Sequence, residues 1–197
     1  MSSARRVTHE YTQTNDAPPE IVFPLLCPVR EADWVPGWQY KMIYSKSGVA
    51  EAGCVFTTPN GDGTETTWLV TQYDPATFRI AFSWVKPGQV AAQIAISLNK
   101  NPKGNTTALI RYTYTGLSAT GNQEVERYDR KWFEHKMKGW EAAINHYLRT
   151  GKAISTAVDG LIISVSDTNP GGRKPAIPQT LLRRRTLHNQ RNGQILT

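Results

Sequence analysis

A chain of 197 residues, 39% hydrophobic and 20% charged, has room for one domain with a sizeable core plus an appendage, and is too short for two full domains. No stretch approaches the ~18 consecutive apolar residues of a membrane span, and the opening MSSARRVTHEYTQ lacks the apolar centre of a signal peptide, so a cytoplasmic location is the default expectation. The net charge of +7 is unevenly placed, since residues 1–150 carry 16 basic and 14 acidic side chains whereas 151–197 carry seven and two, which argues against nucleic-acid binding by the main body of the chain.

Residues 6–14 alternate, with Val7, His9 and Tyr11 on one face and Thr8, Glu10 and Thr12 on the other, which is the period of a strand. Asn15 and Asp16 are capping residues, and Pro18 and Pro19 suit a first helical turn, so a short helix is predicted over 18–26. A second short helix is expected over 29–34, stopped by Pro36-Gly37. From Trp38 onward the period is two. Strands are predicted over 39–45, 53–58, 65–73, 77–85, 90–98 and 106–115. Turn sequences separate them: Lys46-Ser47-Gly48, Asn60-Gly61-Asp62-Gly63, Asp74-Pro75, Pro87-Gly88 and Asn101-Pro102-Lys103-Gly104. Connections this short join antiparallel neighbours.

The last predicted element is one long helix over 122–148. No proline interrupts it, and Val125, Tyr128, Trp132, Phe133, Met137, Trp140, Ile144 and Leu148 recur at steps of three and four. Glu126 to Arg130 and Glu134 to Lys138 stand at the favourable i,i+4 spacing on its polar face, and Gly151 supplies the stop. Residues 153–197 then form a basic tail of linker composition, expected to lack stable structure apart from a short helix over 179–188. Its Arg183-Arg184-Arg185 run offers at most weak contact with nucleic acid or an acidic membrane surface.

The order of one strand, two short helices, six strands and one long helix resembles the helix-grip fold of the START/SRPBCC superfamily, which includes birch-pollen-allergen-like proteins and polyketide cyclases. The segments PLLCPVREADWVPGWQYKMIYSKSGVAEAGCVFTT, ETTWLVTQYDP and INHYLRTGK are similar to a bacterial branch of that superfamily without an assigned reaction. The resemblance implies an α+β domain over 1–152, in which a curved antiparallel sheet of about seven strands wraps a long C-terminal helix and encloses a cavity. It implies binding of a small hydrophobic or amphipathic molecule in that cavity. Two alternatives remain open: a cyclase- or dehydratase-like enzyme using the same pocket, and a chaperone-associated protein-interaction module.

Alternation turns Phe82, Trp84, Tyr112 and Tyr114 inward, together with Trp68 and, on the first strand, His9 and Tyr11. With Tyr44 from the second strand and Trp132 and His135 from the helix, these are the candidate ligand contacts. His9, Tyr112, Tyr114 and His135 are the groups expected to orient the ligand. No catalytic residue is assigned, although a histidine or tyrosine in such a cavity is suited to acid-base work. No metal or cofactor is expected. His135 and His146 lie about three helical turns apart, and His9 adds too few ligands for zinc. Cys27 and Cys54 lack a CxxC partner and read as reduced, packed thiols. No GxSxG elbow, Rossmann fingerprint or P-loop occurs, and Asn60-Gly61-Asp62-Gly63 reads as a hairpin turn because it opens no helix.

Overall fold

The structure, a computed structural model, describes residues 3–154, so the expectations for the basic tail, including a helix over 179–188, lie outside the described residues. Seven strands, β1 (Arg6–Asn15), β2 (Lys41–Tyr44), β3 (Val55–Pro59), β4 (Glu65–Asp74), β5 (Arg79–Lys86), β6 (Val90–Lys100) and β7 (Thr106–Gly116), form one antiparallel sheet. Its order is β1-β7-β6-β5-β4-β3-β2, so β2 to β7 form a continuous meander and β1 adds to the β7 edge. β1 reaches across the chain, with Arg6 opposite Thr115 and Asn15 opposite Thr106. Between β1 and β2 lie α1 (Pro19–Val22), a 3-10 turn (Phe23–Leu26) and α2 (Pro28–Trp34); after β7 come α3 (Ala119–Arg127) and α4 (Arg130–Thr150).

Directly opposed residues share a face of the sheet, so the pairing registers define the rows that look toward the helices. One row runs Phe56, Trp68, Trp84, Ala92, Tyr114, Val7, and the next runs Val70, Phe82, Ile94, Tyr112, His9. A third contains Ile80, Ile96, Ile110 and Tyr11. Phe133, Met137 and Ile144 of α4 are buried with these rows in a single core. The seven-stranded sheet and its C-terminal helix therefore match the expected architecture.

The expected helix over 122–148 is instead two helices. α3 begins early, at Ala119, where the Ser118 hydroxyl accepts from the Gly121 N–H at 3.1 Å. Gly121 is required there, because a Cβ would stand 1.7 Å from the Gln89 carbonyl oxygen. The helix stops at Arg127, and Tyr128 leaves helical geometry at φ −78°, ψ 54°. Asp129 then caps a new helix by accepting from the Trp132 N–H at 2.8 Å. The apolar spacing runs through this break, which conceals it in the sequence. The break also redirects the ion pairs, since Glu126 meets Arg5 at 3.2 Å while Arg130 pairs with Glu134 at 2.6 Å. α4 ends as expected, with Gly151 at φ 68° donating its N–H to the Tyr147 carbonyl at 2.7 Å.

Lys86 closes the inner face of β5. It is 1% exposed and lies 3.6 Å from Glu124 of α3, whose other oxygen accepts from the Tyr128 hydroxyl at 2.5 Å. This buried trio ties the helix break to the sheet. Burial and that hydrogen bond hold the Tyr128 phenol above its ordinary range. No helix among the described residues is long and apolar enough to cross a membrane.

Candidate functional site

The inward rows and the start of α4 together make a belt of aromatic rings. Phe56 stacks on Trp68 at 5.5 Å between centroids, Trp68 meets Trp84 at 5.8 Å, and Trp84 meets Tyr114 at 6.1 Å. Tyr114 continues to Tyr128 at 4.7 Å, and Tyr128 stacks on Trp132 at 4.6 Å. Phe82 stands edge-on to Trp68 at 6.3 Å. Phe82, Trp84, Tyr112 and Tyr114 are buried, whereas Trp68 and Trp132 remain half-buried although they belong to the inward-facing belt. Six of the ten candidate contacts, namely Trp68, Phe82, Trp84, Tyr112, Tyr114 and Trp132, are thus gathered in one place.

His9 and Tyr11 also point inward, but both are already engaged. His9 stacks on Phe133 at 5.2 Å, and its Nε2 lies 2.7 Å from the Tyr128 carbonyl. A carbonyl oxygen only accepts, so Nε2 carries the proton and donates it. The Tyr11 hydroxyl donates to Glu141 at 2.7 Å, and burial together with that carboxylate pushes its phenol up to about 12. These two residues hold β1 against the helical segment.

The remaining two candidates lie elsewhere. Tyr44 is 61% exposed. A bulge between Met42 and Tyr44 skips one residue of β2, pairs Tyr44 with Val55, and so turns it to the outer face beside Leu69. Simple alternation from Met42, which opposes Phe56, would have kept Tyr44 inside. His135 is exposed because α4 turns Phe133, Met137, Gly139 and Ile144 to the core, leaving position 135 on the solvent side.

Two charged residues absent from the sequence-derived set belong to this region. Glu31 sits on the buried face of α2 with Pro28 and Trp34 and is 6% exposed. The helix is held by the Trp34 indole N–H, which donates to the Leu25 carbonyl at 2.9 Å, and by the edge-on contact of Trp34 with Trp140 at 5.3 Å. Burial pushes the Glu31 carboxyl from 4.5 up to about 8, partly opposed by the positive charge of Lys136. Lys136 places its Nζ 5.3 Å from the centre of the Tyr112 ring and 5.2 Å from that of Trp132. Tyr112 is driven well above the ordinary phenol range by burial and then by Glu31. The hydroxyl of Tyr114, whose ring is 5.6 Å from that of Tyr112, is buried and has no hydrogen-bond partner among the described residues.

Both omissions had a signal in the sequence. Pro28, Glu31 and Trp34 are spaced by three, which puts the carboxyl on the face that buries a tryptophan. Lys136 lies four residues after Trp132 and four before Trp140, on the aromatic shoulder of its helix. Among the described residues no three His, Cys, Asp or Glu side chains are grouped as metal ligands. Cys27 and Cys54 are free and buried, and burial pushes the Cys54 thiol up. The arrangement offers aromatic surface at the half-buried Trp68 and Trp132 for a flat apolar group, with the Lys136 ammonium group over the Trp132 and Tyr112 rings.

No family model and no curated protein matches the sequence. Solved structures match in shape. Ara h 8.0201 superposes with a TM-score of 0.53 at 15% identity, covering 74% of this chain and 99% of its own. An uncharacterized protein from Rhizobium leguminosarum superposes with a TM-score of 0.52 at 17% identity, covering 75% of this chain and 97% of its own. Likeness at such identities speaks to fold and not to activity. Together with the sheet order and the C-terminal helix, it shows that this chain has the helix-grip fold.

Proposed function

We propose that the protein binds a small hydrophobic or amphipathic molecule on the concave side of the sheet, between the aromatic belt and α4. The observation that carries this reading is the half-burial of Trp68 and Trp132 within a belt whose other members, Trp84, Tyr114 and Tyr128, are sealed. A flat ligand covering ~200 Å² of that surface would gain about 5 kcal/mol from apolar burial before the cost of association is subtracted. Displacement of a fluorescent apolar dye from the purified full-length chain tests the reading, with Trp68→Ala and Trp132→Ala each expected to weaken the dye about tenfold. A protein that takes up no apolar dye, and carries no small molecule visible by native mass spectrometry, would sink it.

A second reading is favoured by one specific feature. The Glu31 carboxyl, buried on α2 and pushed up to about 8 against the charge of Lys136, is suited to exchange a proton near neutral pH. This suits a cyclase- or dehydratase-like enzyme that protonates or deprotonates a carbonyl compound held on the same belt. Turnover with a bell-shaped pH profile, abolished by Glu31→Gln in a protein that still binds the dye, would establish it. Binding without turnover leaves the first reading.

A further inference from the structure

We infer that Lys136 makes this an acid-binding site, receiving the carboxylate of an amphipathic ligand whose flat apolar part lies on Trp132. The inference rests on the binding reading above and narrows it to a ligand class.

Lys136 lies on the shoulder of α4, one turn after Trp132, and two rings show where its side chain goes. Its Nζ stands 5.2 Å from the centre of the Trp132 ring and 5.3 Å from that of Tyr112. Tyr112 is only 3% exposed and is paired on the sheet with Ile94 and His9, so the ammonium group is turned onto the inward face of β7. The other lysines of this helix, Lys131 and Lys138, are exposed. An ammonium group beside a sealed ring gives up part of its hydration, and the face of the ring returns only part of that loss. A carboxylate returns more, because hydrogen bonds between ionised partners are the strong ones. With three N–H donors, the ammonium group can hold a carboxylate alongside other partners.

Lys86, the other lysine on the inner side of the sheet, behaves differently. It is sealed at 1% exposure with Glu124 3.6 Å away, which makes it a structural cation. Lys136 is half-buried beside the half-buried Trp132, so both are within reach of a molecule arriving from solvent. A second donor stands against the same two rings. Tyr114 has its ring 5.6 Å from Tyr112 and 6.3 Å from Trp132, and its buried hydroxyl has no hydrogen-bond partner among the described residues. Burial holds that phenol protonated, so it keeps a hydrogen to donate to an acceptor oxygen. Glu31 of α2 also feels the Lys136 charge, but burial drives its carboxyl toward the neutral form, so a ligand anion does not compete with a full negative charge there. A cationic ligand is repelled by Lys136, and a pure hydrocarbon covers Lys136 without satisfying it.

The experiment compares three probes on the full-length protein by calorimetry near neutral pH: 2-naphthoate, its neutral isostere 2-naphthamide, and the cation 2-naphthylmethylammonium. They share one ring system and differ in the charge brought to Lys136. In the wild type 2-naphthoate is expected to bind roughly tenfold or more tighter than the amide, with the cation weakest. Lys136→Met, which keeps an unbranched apolar stem over the rings, should remove that lead while leaving the amide essentially unchanged. Lys136→Arg retains the charge and should keep most of the lead, a dependence on charge that a purely structural role would not give. Lys136→Gln supplies the same comparison if Lys136→Met does not fold. If 2-naphthoate binds the wild type no tighter than the amide, or the cation binds best, the inference is overturned and the binding reading stands. A Lys136→Met protein that keeps the full lead, or that loses acid and amide equally, overturns it too. Failure of all three probes while the apolar dye still binds overturns the inference alone, and failure of the dye as well overturns both.

Discussion

Glu31 and Glu124 are the two buried glutamates of the described residues, at 6% and 8% exposure, yet their surroundings differ. Glu124 belongs to α3, meets Lys86 at 3.6 Å and accepts from Tyr128 at 2.5 Å, so its burial is matched by partners from β5 and from the helix break. Glu31 belongs to α2, shares its buried face with Pro28 and Trp34, and is pushed toward its neutral form by burial, against the charge of Lys136. Burial alone therefore does not mark a functional carboxyl. What separates the two is whether partners for the charge stand in place.

The largest expected effect breaks the satisfied member of the pair. Lys86→Met leaves Glu124 desolvated with one phenol for company and should cost ~3–5 kcal/mol of stability, read from the urea midpoint. The double change Lys86→Met with Glu124→Leu should recover most of that loss. A single variant as stable as the wild type would show that the pair contributes nothing.

The next effect concerns Glu31. The folded state raises the Glu31 carboxyl from 4.5 to about 8, so the stability linked to its proton is complete below the lower value and is lost as pH rises toward the upper one. The loss amounts to a few kcal/mol at most. Urea unfolding followed across that window should show the decline, and Glu31→Gln should flatten it. An unchanged slope in the variant would assign the decline to another group.

Two smaller effects complete the comparison. Asp129→Ala removes the cap that starts α4 beside the Glu124 trio and should cost ~1 kcal/mol, visible as a lower unfolding midpoint. Tyr114→Phe should change stability by less than ~1 kcal/mol, because the hydroxyl it deletes has no partner among the described residues. A larger loss from Tyr114→Phe would mean that the hydroxyl is satisfied by an internal water.

Most of the fold was legible because strands announce themselves by a period of two, and the turns between them by glycine, proline and asparagine. The Asn60 to Gly63 hairpin is an example, with the Asn60 N–H bonded to the Thr64 carbonyl at 2.9 Å and Gly61 and Gly63 both at positive φ. The helix break was not legible, because Tyr128 and Asp129 disturb neither composition nor spacing. What decides it is tertiary, the Tyr128 ring and hydroxyl being claimed by Tyr114, Trp132 and Glu124. Within the site, alternation placed the ring-bearing strand residues correctly as long as register held. It failed at Tyr44, one residue past a bulge. Glu31 escaped notice because a single glutamate in a short, charged helix resembles a solvated residue. The spacing of three puts it on the face of Trp34, but the burial of that face follows from where Trp34 anchors α2.

The pairing of β1 with β7 has a consequence for how the protein is made. The strand that carries His9 and Tyr11 is finished almost first, yet its partner, from Thr106 to Gly116, follows about a hundred residues later. The bonds of His9 to Tyr128 and of Tyr11 to Glu141 span 119 and 130 residues. Closing loops of that size is entropically costly, so folding should be slow for a chain of this length and dominated by late docking of the N-terminal strand. During synthesis the meander from β2 to β7 can assemble while β1 waits, leaving the β7 edge open until the C-terminal helices emerge. The concave face of the sheet is thus completed late, when the two ends of the domain meet.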